Sequence, residues 1–191
     1  MLQKKDNKIL FGTKACFAIA RLIFNYPHKK FYIRELCKQT GFSTTSIVQG
    51  INVLEDYKLI KTKVNNVTND LYANLNSEVY RHYKIIFNLY RLINYNFTDI
   101  LVKYFNSPEC ISIFGSFARG EDIEQSDIDI LIVTSIHEPN NKEFSNFINF
   151  IEKEFNRKVN LHILKSLEKS KESFKNAVVN GIVLHGYLKV I

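Results

Sequence analysis

Ile111-Ser112-Ile113-Phe114-Gly115-Ser116-Phe117-Ala118-Arg119-Gly120, then Glu121-Asp122-Ile123-Glu124-Gln125-Ser126, then Asp127-Ile128-Asp129-Ile130-Leu131-Ile132-Val133 is the stretch on which the reading of this chain turns. Two apolar runs are joined by a segment that opens on Gly-Ser and closes on Asp-Ile-Asp. Side chains on a strand alternate between faces, so Asp127 and Asp129 point one way while Ile128 and Ile130 point the other. Two carboxylates on one face suit a hard cation, and Mg2+ in particular prefers oxygen ligands shared with substrate phosphates. Gly115 lets backbone approach a phosphate closely. Ser116 sits where a helix begins, with its hydroxyl and the following amides turned toward an anion. Arg119 is the nearby cation, suited to bidentate contact with phosphate oxygens. The spacing therefore describes a metal–nucleotide site.

Gly-Ser, ten residues and Asp-x-Asp, set between strands, resembles the minimal nucleotidyltransferases of the DNA polymerase beta superfamily over residues 107–191. The resemblance implies a mixed sheet flanked by helices. It also implies a nucleoside triphosphate such as ATP gripped by Gly115 and Ser116, and Mg2+, or Mn2+ in its place, held by Asp127 and Asp129. The family carries a third carboxylate on a later strand in a Val-Asp-Leu context. The matching stretch here is Val159-Asn160-Leu161, so Asn160 stands where the third Asp is expected. An amide offers a carbonyl oxygen but no charge and cannot act as a base. His162 shares a strand face with Asn160 and is a candidate base. Glu121, Asp122 and Glu124 are further carboxylates able to serve the site or to be simply solvated. Phe174–Ala177 and the run from Gly181 to Gly186 are expected as a closing helix and strand.

The chain has 191 residues and a net charge of +7. Residues 1–106 carry 16 Lys and Arg against 7 Asp and Glu, and residues 107–191 carry 10 against 12, so the basic excess precedes the motif. A basic module ahead of a near-neutral one points to a polyanionic partner for the first. Cys16, Cys37 and Cys110 are odd in number, widely spaced and form no paired metal motif. No apolar stretch is long enough to span a bilayer and no signal-peptide pattern opens the chain. A reduced cytoplasmic protein without membrane association is the expectation.

In the basic part, Gly12–Asn25 reads as a helix broken by Tyr26-Pro27, Phe31–Ile33 as an extended piece, Arg34–Thr40 as a second helix and Ser43–Tyr57 as a third. Lys58–Val64 and Leu71–Leu75 flank the polar Asn65–Asp70 as a hairpin. Helix, strand, helix, turn, helix, hairpin is the order of a winged helix-turn-helix, and the segment from Phe31 to Ser43 resembles such repressor modules. In these the third helix enters the major groove. DNA is thus the expected partner of residues 31–75, with Thr44, Thr45, Ser46, Gln49 and Asn52 toward bases and Lys38, Lys61 and Lys63 toward phosphates.

Glu78–Phe105 holds no Gly or Pro and reads as one long helix. Val79, Tyr83, Ile86, Tyr90, Ile93, Phe97, Ile100 and Tyr104 fall at alternating steps of four and three, a heptad seam. It is to be buried either in a homodimer or against the chain's own first helix and C-terminal part. The expected fold class is α+β, with a winged helix-turn-helix at 1–77, a connecting helix at 78–106 that dimerises if its seam meets a second copy, and a nucleotidyltransferase-like domain at 107–191. Two functions fit. One is Mg-dependent transfer of a nucleoside monophosphate to an acceptor hydroxyl, with a protein acceptor such as a toxin partner implied by the resemblance. The other is a catalytically weak or inactive nucleotide-sensing regulator, which Asn160 favours.

Overall fold

The computed structural model describes residues 12–64, 69–136 and 141–189. They fall into two compact units, Lys5–Phe87 and a second that contains Asn88–Ile191.

The first unit begins with α1 (Lys14–Asn25), whose first turn is closed by Cys16 N–H donating to Thr13 Oγ1 at 3.1 Å. Its Cys16, Ile19, Ala20, Ile23 and Phe24 recur at helical spacing and form the inner stripe. After it come β1 (Phe31–Tyr32), α2 (Ile33–Thr40) and α3 (Thr44–Asp56), the last capped by Ser43 Oγ accepting from Ser46 N–H at 3.3 Å. Next, β2 (Ile60–Val64) and β3 (Asn69–Ala73) pair antiparallel from Ile60↔Ala73 to Val64↔Asn69, and β1 adds on the other side of β3. The order of elements follows the sequence expectation. Residues 65–68 of the hairpin connection lie outside the described residues. Phe31, Leu36, Ile47, Leu54, Leu59 and Leu71 are fully buried where the three helices meet this small sheet.

Residues 78–105 are not one helix. The structure has α4 (Glu78–Asn94) and α5 (Phe97–Tyr104), separated at Tyr95-Asn96 by Asn96 in the left-handed region at φ 49°. Asparagine tolerates that conformation better than most residues, so a helix can end without glycine or proline. The buried stripe of α4 is also displaced by one position from the expected seam. Tyr80, Lys84, Phe87, Asn88, Arg91 and Leu92 are buried, whereas Val79, Ile86 and Ile93 are exposed at 38%, 45% and 70%. Three polar residues on the buried face hid it from an apolar count. The first part of α4 belongs to the first unit, where Tyr80 and Phe87 rings lie 5.2 Å from Phe24.

The second unit adds β4 (Cys110–Phe114), α6 (Gly115–Arg119), β5 (Ile128–Val133), α7 (Lys142–Phe155), β6 (Val159–Leu164), α8 (Glu172–Val179) and β7 (Ile182–Gly186). Strand order is β6-β5-β4-β7, with β5 and β6 parallel across α7 and the other pairs antiparallel. The sheet is therefore mixed, and α8 and β7 fall where the sequence placed a closing helix and strand. Ile111, Ile113, Ile128, Ile130 and Ile132 pack on one face with Phe97, Leu101, Phe105, Phe144, Phe147, Ile151 and Phe155. Cys110, Phe114, Leu131 and Val133 pack on the other with Leu167 and Val178. Covering both faces explains why β5 reads as an almost unbroken apolar run. No helix of the described residues is long and apolar enough to cross a membrane.

Candidate nucleotide site

β4 ends at Phe114 and the chain turns at once into α6, which requires Gly115 to adopt φ +72°. A Cβ there would lie 2.6 Å from Asp129 Oδ2, so Gly115 is needed both for the turn and for the closeness of the carboxylate. Phe114 pairs with Asp129 across the antiparallel ladder, which sets the Gly-Ser beside the Asp-x-Asp despite the residues between them.

The parallel register Asp129↔Asn160 carries the third position to the same place. Asn160 Nδ2 donates to Asp127 Oδ2 at 3.0 Å and to Asp129 Oδ1 at 3.3 Å. His162, two residues on, brings Nε2 to 3.7 Å from Asp129 Oδ1, and its ring sits between Phe114 and Phe174 at 5.2 and 5.4 Å. That Nε2 is buried without a hydrogen-bond partner. Asp127, Asp129, Asn160 and His162 thus converge, as strand alternation requires.

Among the described residues, no group of three His, Cys, Asp or Glu is disposed to hold a metal. The donor set nevertheless fits a hard cation. Two carboxylates supply charge, and the Asn160 amide would ligate through Oδ1 once turned about its own axis, since the hydrogen-bonding pattern assigns Nδ2 to the carboxylates.

Other expected residues are placed differently. Arg119 Nε donates to Glu121 Oε2 at 2.8 Å on the surface, so both are drawn to each other. Asp122 is not a solvated loop carboxylate. It is 1% exposed and meets Arg157 Nη2 at 2.7 Å through Oδ2, while Oδ1 accepts from Asn88 Nδ2 at 3.0 Å. The sequence assigned no role to Asn88 or Arg157. An open cavity of about 380 Å³ beside Asp127 is lined also by Glu124, Ser126, Glu152, Arg157 and Lys158.

In the first unit, Thr44, Thr45, Gln49 and Asn52 are exposed on α3, and Thr45, Gln49 and Asn52 share one face by their spacing. Ser46 is half-buried and its hydroxyl lies 3.0 Å from that of Ser43, within the helix cap. Lys38 is exposed on α2, and Lys61 and Lys63 are exposed on β2 with side chains on one face.

Residues 96–185 match the family described as Nucleotidyltransferase domain. The chain is 41% identical over 58 residues to a Methanocaldococcus jannaschii protein provisionally named a protein adenylyltransferase, covering 30% of this chain and 58% of that protein's length. No solved structure matches the chain.

Proposed function

We propose that the second unit transfers a nucleoside monophosphate, AMP from ATP, to a hydroxyl of a protein acceptor. The family match supports nucleotidyl transfer, and the name of the archaeal relative suggests the nucleotide and the acceptor class. The observation that carries the reading is the convergence of Asp127, Asp129 and Asn160 within hydrogen-bond distance, beside Gly115 at φ +72°. In the reaction the acceptor oxygen forms a bond to the α-phosphorus, the bond to the bridging oxygen breaks and pyrophosphate leaves. Mg2+ held by Asp127 and Asp129 would neutralise phosphate charge. Gly115 and Ser116 receive the triphosphate, and His162, whose Nε2 stands 3.7 Å from Asp129 Oδ1, would take the acceptor proton once its buried ring nitrogen is opened to the acceptor. Arg119 would reach phosphate only after leaving Glu121.

Incubation with labelled ATP, Mg2+ and candidate acceptors is expected to give label transfer. Asp127→Ala and Asp129→Ala should each reduce it by about a hundred- to a thousandfold, on the scale of a lost electrostatic anchor for transition-state charge. Label transfer that persists in both variants would overturn the assignment.

A second reading, a nucleotide-sensing regulator of weak activity, is favoured by the Asn160 amide, which supplies no third negative charge. Nucleotide binding by the wild type with no transfer to any acceptor is its expected signature.

For the first unit we propose a winged helix-turn-helix that binds DNA through α3 and the β2–β3 hairpin. Support comes from the element order, the exposed face of Thr45, Gln49 and Asn52, and the exposed Lys38, Lys61 and Lys63. Affinity for DNA upstream of the protein's own gene should fall steeply as salt rises, by about 0.9 log unit per log unit of salt for each phosphate neutralised. A flat salt response would sink the proposal. Exposed Val79, Ile86 and Ile93, seven residues apart, support a homodimer through α4, and the stoichiometry of the same titration reads it out.

A further inference from the structure

We propose that Asp122, Arg157 and Asn88 are positioning residues for the nucleotide site, a buried clamp that fixes the starts of β5 and β6 and the end of α6 against one another. The inference rests on the nucleotidyl-transfer reading for its purpose, and on geometry for its existence.

Asp122 lies on the connection that delivers Asp127, and Arg157 lies on the short connection from α7 that delivers Asn160. Their side chains are 1% and 2% exposed and meet at 2.7 Å. Asn88 of α4 spans from Asp122 Oδ1 to the carbonyl oxygen of Phe117 in α6, donating to each at 3.0 Å. Around this centre the main chain is tied in the same sense. Glu121 N–H donates to Ser116 O at 2.9 Å, Arg157 N–H to Glu152 O at 3.1 Å and Ile128 N–H to Lys158 O at 2.8 Å. Val159 N–H donates to Glu152 Oε1 at 2.9 Å. Asp127, Asp129, Asn160 and Ser116 therefore all stand within a few residues of one hydrogen-bonded knot.

A well-packed apolar pair would fill such a place with no desolvation cost, and often with greater stability. Arg157 Nε and Nη1 are buried without a hydrogen-bond partner, so this charge is not retained because it is fully satisfied. What the ion pair provides and an apolar pair does not is direction. The Oδ2–Nη2 and Oδ1–Nδ2 bonds fix the rotation of the loop ahead of Asp127, to which the two contacts of Asn160 with the carboxylates are sensitive.

The test compares the wild type with the double variant Asp122→Leu/Arg157→Met, with Arg157→Lys and with Asn88→Ala. Three measurements are made on the full chain: thermal unfolding, Mg·ATP affinity and amide hydrogen exchange. For the double variant the expected result is an unfolding temperature close to that of the wild type, Mg·ATP affinity at least tenfold weaker, and exchange at Ile128 and Val159 at least tenfold faster. Ile113 and Ile132 should exchange as before. Arg157→Lys, which keeps the charge and one bond to Asp122, should recover most of the affinity. Wild-type affinity and unchanged exchange at Ile128 and Val159 would overturn the proposal, since the pair would then be ordinary core. If the double variant does not fold, Asn88→Ala decides. Weaker Mg·ATP binding with faster exchange at Glu121 supports the clamp, and no change in either overturns it. A wild type that binds no Mg·ATP overturns the functional reading alone, because the exchange rates still judge the clamp.

Discussion

Asn160→Asp is expected to unfold at a temperature about 10 °C below the wild type when no divalent ion is present, and to regain most of that difference in millimolar Mn2+. The side chains are nearly isosteric, so packing is unchanged and the effect is electrostatic. The wild-type amide donates to Asp127 Oδ2 at 3.0 Å and Asp129 Oδ1 at 3.3 Å. Replacing the amide group by oxygen removes both donors and sets three carboxylates together. Losing hydrogen bonds to partly exposed charged acceptors and adding like-charge repulsion costs roughly 2 kcal/mol in sum. For a unit of this size 1 kcal/mol moves the midpoint by about 4 to 8 °C.

The pH dependence has a definite sign. Only the repulsive part of the deficit needs ionised carboxylates, so it is full at neutral pH and shrinks in acid, leaving the loss from the missing hydrogen bonds. A divalent cation at a hundred times its dissociation constant contributes about 2.7 kcal/mol, enough to close the gap. The wild type, with two charges in place of three, should show a smaller stabilisation by Mn2+. Thermal unfolding with and without the ion, at pH 4 and pH 7.5, reads all of this. An Asn160→Asp chain as stable as the wild type without metal would mean that the amide does not bridge the aspartates.

Gly115→Ala is the second large effect. Two penalties combine there: an L-residue at φ +72°, and a Cβ 2.6 Å from Asp129 Oδ2. The backbone penalty alone is about 1 to 2 kcal/mol. The steric one falls on a short side chain that can yield only by swinging its carboxylate away from the Asn160 amide. Gly41→Ala separates the two, because Gly41 has φ +75° with nothing within 4 Å of an added Cβ. Both variants should lose similar backbone stability, but only Gly115→Ala should also lose Mg·ATP affinity, by tenfold or more. Equal affinity in the two would show that Asp129 is not confined by Gly115.

The geometry of the candidate site was legible where local rules govern it. Alternation along β5 and β6 puts Asp127, Asp129, Asn160 and His162 on one face from spacing alone, and the structure brings these four together. The turn at Gly115 was readable because a strand that passes directly into a helix calls for glycine. What was not legible depends on pairing between distant elements. Asp122 looks like any acidic loop residue until Arg157 and Asn88 arrive from other parts of the chain. The surface pairing of Arg119 with Glu121, two residues on, was likewise not announced by the motif. The helix break at Asn96 carries no glycine or proline to announce it. The seam of α4 was misplaced because Lys84, Asn88 and Arg91 occupy the inner stripe, and burial of polar groups leaves no periodic apolar trace.

Helix α4 has a consequence for how this chain can be taken apart or recombined. The second unit begins inside it, at Asn88, and takes Leu92 of α4 and Phe97, Leu101 and Phe105 of α5 into its core. There is no loop at which to cut between the two units. A fragment starting at residue 107 would leave those four side chains behind and open the cluster containing Phe144, Phe147 and Phe155 to water. It would also remove the Asn88 bond to Asp122. Grafting this unit onto another chain therefore means carrying the helical segment from Asn88 onward as part of the graft, and joining it helix to helix.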